Sequence, residues 1–385
     1  MTTTNRHILH MDLDTFFVSA ERLQNKQIHN KPVIIGGFSD RAVVASCSYE
    51  TRAFGVHAGM PVKMALNLCK EAIVIRGDMD LYVRYSNMVT QIIKDKAPLY
   101  EKTSVDEFYL DLTGMDRFYG TQKWAHELRM QIIKNTGLPI SMGLSLNKTV
   151  SKIATGEAKP NGEKQIENNL VIPFLAPLSI RKIPGVGVET FRTLRIMGIS
   201  TIKNMQELPQ DLVKQSFGKN GEDIWRKANG IDFSPVKPYF EQKSMSTEQT
   251  FETDTTNYTR LQELITVMTE KLAHDLRNDQ KLTSNIAVKI RYSDFDTHTK
   301  QKQIKYTALD HELTPVARAL FEQLYNRRLL VRLIGVKFSG LVHGFQQLDL
   351  FDPNPERIKL YQAMDRLKNM YGEKILRKGI DFMLQ

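Results

Sequence analysis

The 385-residue chain contains only two cysteines, Cys47 and Cys69, and neither belongs to a CxxC pair or lies near paired histidines. A disulfide framework or zinc site is therefore not expected, whereas two reduced thiols are. Long apolar runs are also missing, and the opening segment MTTTNRHILHMDLD has no hydrophobic stretch typical of a signal peptide. We therefore expect a cytoplasmic protein without membrane spans.

Internal repeats, low-complexity tracts and a concentrated basic tail are absent as well. The formal net charge is nevertheless +10, and the excess of Lys and Arg is spread along the whole chain. Such a distribution fits a polyanion contacted by several domains better than a disordered nucleic-acid-binding arm. A chain of this length exceeds the roughly 250–300 residues of one hydrophobic core, so several domains are expected.

Strand-like and helix-like segments alternate over residues 1–168, which is typical of an α+β or α/β domain. Residues 7–13 (HILHMDL) predict a buried strand followed directly by a helix, and residues 103–112 (TSVDEFYLDL) alternate as a half-buried strand does. From 173 to about 235 the pattern changes to short helices separated by glycine and proline turns. Residues 233–242 read as a linker.

A second α+β domain is predicted after the linker. Its expected elements are a helix over 257–277, strands over 284–295 and 301–310, a helix over 314–327 and a strand over 329–342. The tail contains one further amphipathic helix, 355–370, for which a packing or partner role is the only assignment.

The strongest chemical signal is a set of carboxylates in apolar strands. Asp12 and Asp14 close the first strand, and Asp106 and Glu107 lie in the middle of the strand 103–112. Neighbours in a strand point to opposite faces, so Asp106 and Glu107 diverge unless the strand is bent there. A buried carboxylate needs a counter-charge, and oxygen ligands without His or Cys favour Mg²⁺. Two such strands side by side would hold two ions for phosphoryl or nucleotidyl transfer, although solvated strand ends remain the simpler alternative.

Basic and glycine-rich motifs complete the pattern. Tyr49 and Arg52 are three residues apart, on one side of a helical turn, and Lys159 precedes a Pro-Asn-Gly turn; each could meet phosphates or lie in solvent. Residues 183–199 (IPGVGVETFRTLRIMGI) fit a helix-hairpin-helix, whose backbone N–H groups bind DNA phosphates without reading sequence. A plain helical hairpin is the alternative, and Arg192 and Arg195 favour DNA.

Six motifs appear in a fixed order over residues 1–342: HMDLDTFFVSAE, AVVASCSYETRAFGVHAGMP, SVDEFYLDL, GLSLNKTVSKIATGEAKPNG, IPGVG and LIGVKFSGL. This series resembles the Y-family DNA polymerases of the bacterial DNA polymerase IV type. The resemblance implies an α+β multidomain right hand with palm, fingers, helical thumb and C-terminal α+β little finger. The implied bounds are palm 1–13 and 79–168, fingers 14–78, thumb 169–235, linker 236–240, little finger 241–342 and tail 343–385.

The resemblance also implies roles for individual residues. Asp12, Asp106 and Glu107 would be catalytic and, with the Leu13 carbonyl, would bind two Mg²⁺ ions. The implied nucleotide-binding residues are Phe16, Phe17, Ser46, Tyr49, Arg52 and Lys159. Phe17 would be the steric gate that excludes a 2′-hydroxyl. The implied DNA-binding residues are Gly185, Gly187, Arg192, Arg332 and Lys337. This chain departs from the family at Phe108, where a small residue is usual, and in the weakly matched second thumb hairpin near FGKNG (217–221).

Residues 346–351 (QQLDLF) resemble the short motif with which bacterial replication proteins dock on the sliding clamp. Gln347, Leu348, Leu350 and Phe351 would make the contact, unless the segment is a chance loop.

Together the motifs predict a monomeric, low-fidelity, template-directed polymerase for translesion synthesis, without a proofreading exonuclease. Its expected partners are primer–template DNA, a dNTP and the sliding clamp. Two alternatives remain: a catalytically inactive polymerase-like scaffold, and another palm-type enzyme such as a nucleotide cyclase. The complete set Asp12, Asp106 and Glu107 argues against the first, and the hairpin and clamp motifs argue against the second.

Overall fold

The computed structural model describes residues 6–115, 120–325, 329–344, 355–372 and 375–376, without the side chains of 355–358. The chain divides into two compact units, Met1–Phe240 and Glu241–Gln385. Within the described ranges, the helices are too short or too polar to traverse a lipid bilayer.

The first unit contains eight strands and ten α-helices among its described residues. In chain order they are β1 (Ile8–Leu13), α1 (Phe16–Gln24), β2 (Val33–Gly36), β3 (Val44–Cys47), α2 (Tyr49–Arg52), α3 (Val62–Leu68), β4 (Ile73–Ile75), α4 (Met79–Lys96), β5 (Tyr100–Lys102), β6 (Glu107–Asp111), α5 (Thr121–Thr136), β7 (Ile140–Ser145), α6 (Lys148–Ala158), β8 (Glu163–Gln165), α7 (Val171–Leu175), α8 (Val188–Ile196), α9 (Ile202–Gln206) and α10 (Gln210–Ala228). The predicted interleaving of strands and helices is confirmed.

Five strands form the central sheet in the order β5-β6-β1-β7-β8. β1 lies in the middle and pairs antiparallel with β6 and β7. Alternate residues of β1 face opposite sides. Leu9, Met11 and Leu13 join the apolar core with residues of α4 and α5. His10 faces α6, where its ring Nδ1 lies 2.9 Å from Thr155 Oγ1. The side of the sheet that faces α6 is therefore the polar one.

α6 packs unusually close to the central sheet at Gly143 in β7. A Cβ atom at this position would lie 2.2 Å from the Ser151 carbonyl oxygen and 2.5 Å from the Thr155 nitrogen. Only glycine permits this backbone contact. The helix is therefore held directly against β7.

A separate small sheet has the order β3-β2-β4 and is flanked by α1 to α3. Its core contains Ile34, Val44 and both cysteines, which are free and buried. α7 to α10 form a helical segment whose apolar core also includes Val150, Ile153 and Ala154 of α6. α10 is interrupted at Gly218, whose φ of 62° and ψ of −151° separate two helical pieces at the FGKNG sequence.

The second unit is a four-stranded antiparallel sheet covered by two helices. Its described elements are β9 (Ser244–Thr255), α11 (Tyr258–Asn278), β10 (Lys281–Tyr292), β11 (Thr297–Thr307), α12 (Asp310–Leu324), β12 (Val331–His343) and α13 (Pro355–Tyr371). The strand order is β11-β10-β12-β9. Apolar residues of β10 and β12, among them Val288, Ile290, Ile334 and Val336, pack against α11 and α12.

Two expectations for this unit were wrong. The strand β9 was not predicted, because SMSTEQTFETDT is largely polar and exposed. α12 begins at Asp310 rather than 314, since the helix continues across Pro315, and it ends at Leu324.

The tail helix α13 packs on α11 and α12. Arg277 donates from Nε and Nη2 to the two carboxylate oxygens of Asp365, at 2.7 and 2.9 Å, and His274 Nδ1 lies 2.8 Å from Asp365 Oδ1. Tyr361 is buried and stacks on His311, with ring centroids 5.9 Å apart and planes 8° from parallel. Of the two roles considered for this helix, the structure supports packing.

Candidate active site

The acidic pair Asp106 and Glu107 lies at a bend rather than in the middle of a strand. β6 begins only at Glu107, and residues 104–106 form a turn. Ser104 stabilises the turn, because its Oγ accepts hydrogen bonds from the backbone nitrogens of Asp106 and Glu107, at 3.3 and 3.0 Å. The mid-strand prediction was therefore wrong. The Asp106 carbonyl still reaches β1, where it accepts from the Leu13 nitrogen at 3.0 Å.

Asp12 lies directly opposite Glu107 in the antiparallel pair of β1 and β6. Like charges in directly opposed positions destabilise a sheet unless positive charge is nearby. Lys159 supplies such a charge, with its Nζ 2.5 Å from Asp12 Oδ1. Burial raises the pKa of Asp12 to about 6; Lys159 opposes the rise, and the charges of Glu107 and Asp106 add to it. The three carboxylates therefore form one electrostatic group.

Glu107 has its own cationic partner. Lys152 in α6 donates to both Glu107 oxygens, at 2.7 and 2.6 Å. Lys152 was not identified from the sequence. Its spacing of seven residues from Lys159, two turns of helix, is the signal that could have revealed it.

The chemistry of this group fits divalent cations. Asp12, Asp106 and Glu107 offer only hard oxygen ligands, which Mg²⁺ prefers. In the described part of the chain, no three Asp, Glu, His or Cys side chains converge closely enough to hold an ion. Asp12 and Glu107 are instead directed at Lys159 and Lys152, so the excess negative charge is balanced by ammonium groups.

The residues expected to bind phosphate lie near this group. Tyr49 and Arg52 occupy the single turn α2, and the Arg52 guanidinium lies 5.1 Å from the centroid of the Tyr49 ring. The Tyr49 hydroxyl donates to Asp14 Oδ1 at 3.1 Å, and Lys159 Nζ lies 3.9 Å from the same oxygen. Asp14 thus links Tyr49 with Lys159. Ser46 is half-buried in β3, opposite Ile35 of β2.

Phe16 and Phe17 have different environments. The ring of Phe16 is buried in the core of the central sheet, so any part in nucleotide binding falls to its backbone. Phe17 is half-buried at the border between the core of the central sheet and a smaller cluster around β2. Its ring stacks on Tyr82, with centroids 4.2 Å apart and planes 10° from parallel. This stacking fixes the direction of the Phe17 ring.

The helical hairpin has the backbone geometry that its glycines suggest. Gly185 has a φ of 103°, a conformation that side chains rarely permit, and Gly187 is the N-cap of α8. The Arg192 side chain is 70% exposed, and its guanidinium forms a long ion pair, 3.5 Å, with Glu189. Arg195 is also exposed. The hairpin therefore presents a basic surface beside its glycine turn.

The structure does not bring together the two basic residues predicted in β12, Arg332 and Lys337. Lys337 is exposed on the face of the sheet opposite to Val336 and Phe338, which pack in the core. Arg332 lies at an irregularity in strand pairing, and its guanidinium is 4.5 Å from the centroid of the Phe295 ring. Gln347, Leu348, Leu350 and Phe351 lie outside the described residues.

Three protein-family models match the chain. Residues 11–156 match the impB/mucB/samB family, and residues 242–350 match its C-terminal domain. Residues 181–232 match the thumb domain described for DNA polymerase iota. The matched ranges contain all the carboxylates of the candidate site, together with the helical hairpin and the four-stranded sheet.

Curated relatives agree with these matches along almost the whole chain. A DNA polymerase IV of Dehalococcoides mccartyi is 37% identical over 99% of this chain and 98% of its own length. DNA polymerase IV of Treponema denticola is 32% identical over 97% of this chain and 96% of its own. The Staphylococcus haemolyticus protein of that name is 35% identical over 90% of this chain and 98% of its own.

Solved structures show the same fold. A Y-family DNA polymerase chimera, Dbh-Dpo4(243-245)-Dbh, matches with a TM-score of 0.78 and 27% identity, over 88% of this chain and all of its own. An insertion ternary complex of Dbh DNA polymerase matches with a TM-score of 0.64 and 26% identity over the same shares. The expected right-hand fold class is thereby confirmed, and the chain belongs to the Y-family DNA polymerases, in the group of bacterial DNA polymerase IV.

Proposed function

We propose that this translesion DNA polymerase adds a dNTP to a primer by a two-metal-ion reaction at Asp12, Asp106 and Glu107. The observation that carries the proposal is the opposition of Asp12 and Glu107 across β1 and β6, with Asp106 at the bend beside them. Their oxygens suit Mg²⁺, which would replace the ammonium groups that now pair with Asp12 and Glu107. The Leu13 carbonyl would complete the ligand set. The bound ions would lower the pKa of the primer 3′-hydroxyl and neutralise charge on the α-phosphate.

The protein's own cations position the triphosphate. Lys159 lies 3.9 Å from Asp14, the Tyr49 hydroxyl donates to the same Asp14 oxygen, and the Arg52 guanidinium lies over the Tyr49 ring. We propose that Lys159 exchanges Asp12 for the triphosphate when a dNTP binds, because a phosphate offers more negative charge than one carboxylate. Ser46 and the Phe16 backbone would bind further phosphate oxygens. The same groups would stabilise the negative charge of the pyrophosphate as it leaves.

Phe17 would act as the steric gate. Its ring is half-buried and is held by stacking on Tyr82. A fixed ring can exclude a 2′-hydroxyl by steric contact, whereas a mobile ring would move aside and admit it. Selection of deoxyribonucleotides would therefore depend on Tyr82 as well as on Phe17.

DNA would be held by contacts to its backbone rather than to its bases. Gly185, Gly187 and Arg192 present backbone N–H groups and one guanidinium, which suit a phosphate. Lys337 would add a second phosphate contact from the exposed face of β12. Arg332, which stacks on Phe295, would contact DNA only after leaving that ring. Such contacts are independent of sequence, as a polymerase requires.

The proposed palm is 1–13 and 79–168, with fingers 14–78, thumb 169–235, linker 236–240 and little finger 241–342. We propose that this chain acts without a proofreading exonuclease. We further propose that it is a cytoplasmic monomer and that residues 346–351 bind the sliding clamp.

A primer-extension assay with Asp106→Ala tests the proposal. The variant should bind primer–template DNA as the wild type does but extend it at least about a thousand-fold more slowly, the size of effect of losing a group that stabilises the transition state. Asp111→Ala is the matched control, because Asp111 ends the same strand and its carboxylate accepts a hydrogen bond from the Thr113 nitrogen. Equal extension by Asp106→Ala and wild type would contradict the assignment, and no extension by wild type would favour an inactive scaffold.

A further inference from the structure

Asp14 is a buried carboxylate with no part in the proposed metal site. Only 1% of its surface is exposed. Burying a charge is costly unless several hydrogen bonds compensate for it. Asp14 has three donors: the Tyr49 hydroxyl at 3.1 Å, the Ser141 hydroxyl at 2.7 Å and the Asn161 backbone nitrogen at 2.7 Å. Its carboxylate is therefore occupied on both oxygens.

These donors belong to three separate parts of the chain. Tyr49 lies in α2 beside the small sheet, Ser141 lies in β7 of the central sheet, and Asn161 lies in the turn after α6. That turn begins with Lys159, and Asn161 has a left-handed φ of 47°. Its side-chain oxygen accepts a hydrogen bond from Arg129 at 2.7 Å. The turn is thus fixed from two sides, by Asp14 and by Arg129.

We propose that Asp14 is a positioning residue, which sets the distance between Tyr49 and Lys159 so that both can meet one triphosphate. The inference rests on the proposed function of these two residues. Asp14 contacts the Tyr49 hydroxyl directly and holds Lys159 through the backbone of Asn161. In the absence of nucleotide the single Tyr49 proton is donated to Asp14. A bound phosphate would accept the Tyr49 hydrogen bond in place of Asp14. The hydrogen bonds from Ser141 and Asn161 would still hold the Asp14 carboxylate.

The test measures binding of dCTP opposite a template dG, on a dideoxy-terminated primer, together with kcat and KM on an extendable primer. Asp14→Ala should weaken dCTP binding about ten-fold, the effect of losing one hydrogen bond to a charged group, and leave the Kd for primer–template DNA unchanged. Asp14→Asn should reduce the affinity for dCTP less than Asp14→Ala does, because its amide oxygen can still accept hydrogen bonds from Ser141 and Asn161. This conservative variant also carries the test if the alanine variant does not fold.

Two further variants distinguish positioning from general stabilisation. Glu101→Ala removes another buried carboxylate, which is bound by Lys148 and the Lys237 nitrogen away from Tyr49. It should lower the melting temperature without changing the affinity for dCTP. Tyr49→Phe combined with Asp14→Ala should weaken dCTP binding by less than the product of the two single effects, because both changes remove the same contact.

The outcomes are separable. If the wild type extends primers and both Asp14 variants bind dCTP normally while melting earlier, as Glu101→Ala does, Asp14 is only a core polar group and the inference is wrong. Normal dCTP binding with lost kcat would also contradict it, since Asp14 would then act on the chemical step. A wild type that extends no primer would overturn the proposed function and this inference together.

Discussion

The ammonium of Lys152 lies within 2.7 Å of both carboxylate oxygens of Glu107. This contact occupies the same oxygens that a divalent ion would need. If Glu107 binds the ion as proposed, Lys152 and the ion compete for it, and Lys152 and Lys159 balance the charges of Glu107 and Asp12 before an ion binds.

Replacing Lys152 with Gln should tighten metal binding. The variant removes both the competing ammonium and its repulsion of a divalent cation. Since both side chains are partly exposed, we expect only about a two- to five-fold lower Mg²⁺ concentration at half-saturation, which corresponds to 1 kcal/mol or less. Direct titration with Mn²⁺ by electron paramagnetic resonance measures it without turnover.

The control is Lys123→Gln, which removes the same charge from a 79% exposed side chain in α5. Weaker metal binding in Lys152→Gln than in this control would show that Lys152 supports the ion rather than competing with it.

Phe17→Ala should admit ribonucleotides. Removal of the ring opens space beside the sugar, and a dNTP loses little because its 2′ position carries only hydrogen. The ratio of kcat/KM for dCTP to that for CTP measures the effect and should fall at least about a hundred-fold, or 2.7 kcal/mol. Tyr82→Ala should lower the same ratio less, because it only frees the ring that Tyr82 holds. An unchanged ratio in Phe17→Ala would make Phe17 a core residue alone.

Leu350→Ala/Phe351→Ala should abolish stimulation by the sliding clamp. A short extended segment buries little area, so we expect an affinity on the order of micromolar. Because the clamp encircles the same DNA, its effect should appear as longer products rather than faster single additions. Extension without clamp should not change. Asp352→Ala/Asn354→Ala, just outside the motif, serves as control, and full stimulation of the first variant would place the contact elsewhere.

Asp365→Ala should release α13 from α11. Burial opposes ionisation of Asp365, but the hydrogen bonds from Arg277 and His274 prevail and hold the pKa of its carboxyl below the ordinary value. Removing the Asp365 carboxylate eliminates charged hydrogen bonds worth about 1.5–3 kcal/mol. Arg277 would retain its hydrogen bond to Asp310. Limited proteolysis should cut the tail faster in this variant. Gln362→Ala, at an exposed position of α13, should be cut like the wild type. Equal cleavage of all three proteins would show that other contacts hold the helix.

The sequence was informative where local patterns determine structure. The strand at 7–13, the helix after it and the glycine turn at 185–187 follow from apolar periodicity and backbone freedom. β9 was missed because its pairing with β12, rather than its polar sequence, makes it a strand. The predicted start of α12 at 314 was four residues late, since the helix Asp310–Leu324 extends on both sides of Pro315.

The site was predictable in its carboxylates but not in their surroundings. Acidic residues in apolar strands can be recognised in the sequence, because burying a charge is costly and therefore rare without a function. The contacts of Lys152 with Glu107 and of Asn161 with Asp14 join residues 45 and 147 positions apart. Such pairs depend on how α6 packs on the sheet, which no local pattern determines.

The close contact at Gly143 has a mechanical consequence. At Gly143 no side chain separates β7 from α6, so the helix that contains Lys152 and ends just before Lys159 lies directly against the central sheet. Tyr49 and Arg52 lie in α2 beside the small sheet, and a 3.1 Å hydrogen bond from the Tyr49 hydroxyl joins their turn to Asp14. A small rotation of one sheet against the other would therefore change the distance of Tyr49 and Arg52 from Lys159. The affinity for the triphosphate would then depend on the angle between the two sheets. Nucleotide binding would in turn favour the one angle at which both groups contact the triphosphate.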